Sequence, residues 1–292
     1  MTQNPDPNLS LEQGLQLQAD GPGRWRNLRG DVNQNGRAYG GQLMGQALRA
    51  ALMELPADRA PTMMQFLFLQ GALPDQPIGF EVSALQQGKR FSSLQVRGAQ
   101  AERQVLSAQV SCAQSLPGPG HALASAAPPA ERPALLPRLD EVPAALRDRL
   151  ALLGGYGRDH NPALDFRIPE PGRQLDVGGT ADGFRYWFKA AHPLPADAKL
   201  HAAAFAYLSD WWLNYCILAP HLAQAGERPW YISSLNHSLW LHAPPRADRW
   251  LHVHARSGHA AQGRGLATAQ YHDEAGRHIA TASQDCLVTY TD

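Results

Sequence analysis

Cysteine is scarce in this chain of 292 residues: only Cys112, Cys216 and Cys286, far apart. Three widely spaced thiols form no CxxC pair and no metal-ligand spacing, which excludes a disulfide framework and fits a reducing, cytoplasmic setting. No sign of charge dominates, since Lys+Arg and Asp+Glu both number 26. A general nucleic-acid or anionic-membrane surface needs a basic excess, so neither is expected as a partner. Outside one segment there is no uncharged apolar run of about 18 residues, the length that reads as a membrane span. The first ten residues, MTQNPDPNLS, lack the basic and apolar regions of a secretory signal. There is no GxSxG, so an α/β-hydrolase elbow is not supported. GGQLMG at 40–45 lacks the Gly-Lys-Ser/Thr of a phosphate-binding loop.

What is present is a hydrophobic content of 44%, which supports a real core, in a chain long enough for two domains or one large one. Ser10 and Gln13 could cap a short helix through LEQGLQLQ. Gly40 and Gly41 lead into a helix carrying Leu43, Met44, Ala47, Leu48, Ala51 and Leu52. Four short runs follow, PTMMQFLFLQG, IGFEVSALQQG, FSSLQVRGAQ and QVLSAQVSCAQ, each of strand length between turn residues. The first half thus reads as a helix and then four antiparallel strands. From Leu116 to about Pro143 the chain turns Pro- and Ala-rich, the composition of a linker.

The second half repeats the order. ALDFRIPE and GFRYWFKA are strand-like, a long apolar helix follows, and four more strand-like runs close the chain. Gln87-Gly88 matches Gln262-Gly263, Gln95 matches Gln270, and Cys112 matches Cys286 with one residue of slippage. Two copies of one unit, a helix wrapped by an antiparallel sheet, explain the pattern.

The helix of the second copy, AAFAYLSDWWLNYCIL from Ala203, is apolar on almost every side, so it is buried on most faces. Asp210 sits in its middle, where an ionised carboxylate is costly unless hydrogen-bonded or paired. A local reading offers Asn214 at i+4 and the adjacent Ser209 as its company. The alternative is that the wrapping sheet sends a polar group inward.

Several ordered stretches resemble the acyl-CoA thioesterase II family over nearly the whole chain. They are YGGQLMGQALRAA from Tyr39, ALQQGKRFSSLQVRGAQ from Ala84, AYLSDWWL from Ala206, SSLNHSLWLHAP from Ser233, QGRGLA from Gln262 and ASQDCL from Ala282. The resemblance implies an α+β fold of two tandem hotdog domains, spanning 10–115 and 161–292 with a linker over 116–160. It implies hydrolysis of acyl-CoA to a carboxylic acid and CoA without a cofactor, and a homodimer or higher homo-oligomer. The family's site residues fall on Asp210, Ser234 and Gln284. The chemistry is coherent: a thioester carbonyl is activated toward water, and a desolvated carboxylate is a better proton acceptor. Ser234 and Gln284 can donate and accept, and so hold the same attacking water. The first half has Gln42 and Gln46 but no Asp in its helix, and Val110 where Gln284 stands, so one site per chain is expected.

The chain departs from the family at Met64-Gln65, Leu69-Gln70, Asn236-His237-Ser238 and Ala243, which bears on substrate contacts. Two other functions are weighed beside the hydrolase: a non-catalytic acyl-CoA-binding protein, and an enoyl-CoA hydratase suggested by Asp159-His160-Asn161-Pro162, in which the final His of the hydratase loop is Leu164 here. His252 and His254 share a strand face but lack a placed third ligand, so they read as surface residues and not a metal site. The three cysteines read as small core residues, and the tryptophans, among them Trp211, Trp212 and Trp240, as core and pocket wall. Arg246, Arg256 and Arg264 are candidate phosphate contacts by charge alone.

Overall fold

Met64 and Phe66 are buried while Gln65 between them and Leu67 after them face outward, the period-2 pattern of a strand with one covered face. The same alternation runs through a computed structural model that describes residues 10–33, 35–122, 132–152, 163–175, 183–224 and 230–290. Its first half carries β1 (Leu17–Ala19), β2 (Arg24–Asn27), β3 (Ala60–Phe68), β4 (Gly79–Gln87), β5 (Phe91–Gln100) and β6 (Arg103–Ala113). Its second half carries β7 (Leu164–Arg167), β8 (Phe184–Ala190), β9 (Trp230–Leu241), β10 (Leu251–Ala261), β11 (Arg264–Asp273) and β12 (His278–Tyr290). The helices are α1 (Leu11–Gly14), α2 (Gly40–Met53), α3 (Ala144–Leu152), α4 (Pro171–Gln174), α5 (Ala198–Ser209) and α6 (Tyr215–Leu218).

All twelve strands form one antiparallel sheet in the order β1-β2-β4-β5-β6-β3-β9-β12-β11-β10-β8-β7. Read outward from the central β3–β9 pair, the two halves have the same order. The repeat seen in the sequence is therefore a topological one. Gln87-Gly88 and Gln262-Gly263 lie at equivalent turns, and Cys112 and Cys286 on the equivalent strands β6 and β12. Where a helix and four strands are expected in the first half, β1 and β2 are added. Both are short and mostly exposed, so neither carries the apolar alternation that marks a strand. Ser10 and Gln13 do form a capping box, but α1 stops at Gly14 and Leu17 begins β1. Within the Pro/Ala-rich segment, Val142 is buried in the core just before α3.

One face of the sheet packs on α2 and α5, which run antiparallel. Gly41 and Gly45 make the crossing close. A Cβ on Gly45 would lie 2.6 Å from Leu15 Cδ2 and 2.8 Å from the carbonyl oxygen of Ala203. At the far end Arg49 pairs with Asp197 at 2.8 Å, and Lys199 Nζ donates to the Leu52 carbonyl at 2.7 Å. No helix among the described residues is long and apolar enough to cross a membrane.

His252 and His254, expected at the surface, are buried on β10. They lie on the face opposite Val253 and Ala255, against Trp187 of β8 and His272 of β11. Trp240 corrects in the other direction, being 38% exposed. Burial, with neighbouring histidines, pushes His252 down to about 3 and His272 down to about 4.

Two outcomes are expected. Gly45→Ala gains about 1 kcal/mol of helix propensity but overpacks the crossing, for a net loss of roughly 1–3 kcal/mol. A raised denaturant midpoint would contradict the close approach. The two histidines stay neutral in the folded protein well below pH 6.5 while the unfolded chain protonates them. Stability is therefore full above about pH 6.5 and falls as the pH drops toward 4, by at most about 1.4 kcal/mol per pH unit for each ring. Denaturation curves between pH 7.5 and 5 measure this, and His252→Phe should flatten the dependence.

Candidate active site

The apolar segment around Asp210 is not one continuous helix. α5 ends at Ser209, and Asp210 is its C-cap residue. The chain turns through Trp212 with φ at +60°, the left-handed conformation that stops a helix, before α6 resumes. Two tyrosines from the sheet satisfy the carbonyls freed by this break: Tyr271 O–H donates to Ser209 O at 2.9 Å and Tyr186 O–H to Trp211 O at 2.5 Å. Burial holds the Tyr271 phenol well above its ordinary pKa, so it remains a donor. Phe166 stacks on Trp211 with ring centroids 5.3 Å apart and fixes the turn from the β7 side.

The three residues picked from the sequence converge here. Gln284, on β12, donates from Nε2 to Asp210 Oδ1 and to Ser234 Oγ on β9, the latter at 3.0 Å. The strands explain the meeting, since Gln284 pairs with His237 and Cys286 with Ser234 across a β-bulge. Asp210 is 7% exposed and Gln284 1%. The sheet thus supplies an inward hydrogen-bonding partner, as the sequence requires of a carboxylate in an apolar segment.

Sequence reasoning passed over two neighbours. His237 is fully buried, with Nε2 at 3.3 Å from Ser209 Oγ and Nδ1 at 3.4 Å from Gln284 Nε2; its place in Asn236-His237-Ser238 was its only signal. The second is Gly40, where a Cβ would stand 2.8 Å from Asp210 Oδ2. Gly40 opens α2, whose N-cap residue Tyr39 provides no side-chain cap. The first intrahelical bond runs from Leu43 N to Tyr39 O, so the N–H groups of Gly40, Gly41 and Gln42 precede the ladder. The carboxylate therefore faces the positive end of a helix from the other half of the chain.

A cavity of about 390 Å³ opens onto this point. Asp210 and Ser234 are in its wall, with Tyr39, Gly40, Phe68 and Ile232. Gln284 is not: it lies behind Asp210 and Ser234 and holds both. Arg37 and Arg103 also line the cavity. The arginines suggested by charge are engaged elsewhere: Arg246 with Asp248, Arg264 with Asp285, and Arg256 as a donor to His254. Residues 159–162 of the hydratase-like stretch lie outside the described residues, and Leu164 begins β7. All three cysteines are buried and free, and burial raises the Cys112 and Cys216 thiols to about 12 and Cys286 further.

Comparison with known proteins shows what the chain as a whole is similar to. The family model "Acyl-CoA thioesterase C-terminal domain" matches residues 130–288, and "Acyl-CoA thioesterase N-terminal domain" matches residues 28–113. Acyl-CoA thioesterase 2 of Haemophilus influenzae is 27% identical over 280 residues, covering 91% of this chain and 93% of the relative. The crystal structure of acyl-CoA thioesterase II TesB2 from Mycobacterium marinum superposes with a TM-score of 0.77 at 26% identity, covering 97% of this chain and 98% of that one. A hot dog fold protein from Alicyclobacillus acidocaldarius, 16% identical, shares the fold with a TM-score of 0.73 over 97% of this chain and 98% of that one. The chain belongs to the acyl-CoA thioesterase family and is a thioester hydrolase.

Proposed function

We propose that this protein hydrolyses acyl-CoA by direct attack of water, with Asp210 as the proton acceptor. The observation that carries the reading is that Asp210 and Ser234, in the wall of one cavity lined by both halves, are held together by Gln284 behind them. Asp210 Oδ1 is taken by Gln284, which leaves Oδ2 on the Gly40 side to accept a proton from water. Ser234 Oγ accepts from Gln284 and keeps its own O–H to orient that water. Gln284 acts as a positioning residue behind both.

Water oxygen bonds to the thioester carbon as its proton passes to Asp210. The carbonyl oxygen takes up negative charge, and the uncapped first turn of α2 offers N–H donors to it. Collapse breaks the C–S bond, and the departing sulfur takes the proton back. No covalent acyl-enzyme is needed. The architecture that fits is two tandem hotdog domains, 10–115 and 161–292, joined over 116–160, with one site per chain. The same reading places the protein in the cytoplasm as a homo-oligomer.

Free-thiol release from a panel of acyl-CoAs tests the reaction. Asp210→Asn should remain folded and lose at least about 100-fold in kcat, the usual scale for a general base. Gln284→Ala and Ser234→Ala should fall in the same direction by less. Retained activity in Asp210→Asn would overturn the mechanism. Acyl-CoA binding without thiol release would favour a binding module, and enoyl-CoA turnover without thiol release a hydratase. Because the thiols are buried and protonated, alkylating reagents should leave native activity unchanged; inactivation by iodoacetamide in the folded state would point to a cysteine nucleophile instead.

A further inference from the structure

Arg37 and Arg103 come from different segments, a loop before α2 and the start of β6, yet both converge on Gly71. Arg103 donates to the Gly71 carbonyl at 2.7 Å. The Arg37 side chain packs over the same residue, so that a Cβ there would lie 3.2 Å from Arg37 Cδ and 3.3 Å from its Nε. Two cations are thus held beside one glycine, which has no side chain to separate them. Neither forms an ion pair with a carboxylate of a described residue, although most other described arginines with a defined side-chain contact are paired with an acid. Both side chains are exposed at the mouth of the cavity that has Asp210 in its wall.

The placement is not casual. Asn33 Oδ1 accepts from Arg37 N at 3.0 Å, and Asn33 N donates to Arg37 O at 2.7 Å, which fixes the backbone of Arg37. Asn35 Nδ2 donates to Ile232 O at 3.2 Å and ties that loop to β9 beside Ser234. The mouth is therefore rigidly joined to both halves of the site. Its remaining polar lining, Asn33, Asn35 and Gln70, is uncharged, and among the described lining residues the only carboxylate is Asp210 itself. Like charges brought together without a counterion are unfavourable unless an anion joins them. Two guanidinium forks suit phosphate oxygens in particular.

We propose that Arg37 and Arg103 form an anion site that grips a phosphate group of the CoA moiety and so aligns the thioester with Asp210. This rests on the hydrolase reading for its ligand. It also assigns the discrimination between a CoA ester and a smaller thioester to two residues outside the reacting group.

The test uses one acyl group presented as a CoA thioester and as an N-acetylcysteamine thioester, which has no phosphate. In the Arg37→Gln/Arg103→Gln double variant KM for the CoA ester should rise by about tenfold or more, the effect of losing a charge-assisted contact. Its kcat should stay within about twofold, and the constants for the N-acetylcysteamine ester should not move. An unchanged KM for the CoA ester, or an equal change for both esters, would overturn the site. Calorimetric binding of free CoA separates this from the hydrolase reading. If wild type hydrolyses neither ester, that reading fails; CoA binding lost in the double variant still supports the anion site, and binding that is absent in wild type or kept in the variant refutes it.

Discussion

Gly41 and Gly45 let the backbone of α2 run against Ala203 and Tyr207 of α5, and the direction of that crossing decides what surrounds Asp210. Because the helices are antiparallel, the N-terminal end of α2 meets the C-terminal end of α5. A carboxylate at the end of its own helix faces partial negative charge, which disfavours it. Asp210 is in that position on α5, but the uncapped start of α2 lies against it. The two helix ends offset one another at the carboxylate. Any bulk at Gly40 would separate them, so the first half of the chain shapes the surroundings of Asp210, Ser234 and Gln284, which come from the second.

The near-symmetry of the sheet shows what the other end of the crossing does instead. There α5 begins with a capping residue: Asp197 accepts from Lys199 N at 2.9 Å and Leu200 N at 3.2 Å. Arg49 pairs with the same carboxylate, and Lys199 reaches the last carbonyls of α2. The α2 C-cap residue, Glu54, turns outward and accepts from Trp25 Nε1 at 2.8 Å. The side chains of Arg49, Glu54, Asp197 and Lys199 are thus all engaged at this end of the crossing. Gln42 and Gln46 are likewise spent on the carbonyls of Gly14 and Arg29. One end of the pair is stitched and the other is open, so the repeat provides cross-links at one place and a carboxylate in a cavity wall at the other.

Much of this was legible in the sequence because it rests on local pattern. The eight longer strands β3–β6 and β9–β12 alternate or run apolar between turn residues, and a buried Asp in an apolar segment demands a partner whatever the fold. Gln284 and Ser234 came from resemblance, and the bulge that brings them together could not be read from spacing. β1 and β2 escaped notice because short polar edge strands have no apolar period. The break after Ser209 was hidden because Trp212 takes a left-handed conformation that bulky residues rarely adopt; only the surrounding Phe166, Tyr186 and Tyr271 impose it. His252 and His254 look like surface residues in a linear chain, and their burial follows from a second face of the sheet being covered near β8. Arg37 and Arg103 are 66 positions apart by their residue numbers, and nothing local points to either.

The orientation of the Gln284 amide connects helix geometry to the Asp210 carboxylate. Ser209 Oγ donates its single hydrogen to Ala206 O at 2.9 Å, so its contact with His237 Nε2 requires that nitrogen to carry the proton. His237 Nδ1 lies 3.4 Å from Gln284 Nε2. An amide turned the other way would set its oxygen against the Asp210 carboxylate, which can only accept. The nitrogen therefore faces Asp210 and Ser234, and Gln284 Oε1 is left buried without a partner among the described residues. A buried acceptor in that state costs about 1–3 kcal/mol. The fold tolerates it because the alternative orientation would release Asp210 and Ser234 from their shared donor. The unpaired acceptor thus accompanies an amide that holds two side chains of the cavity wall together.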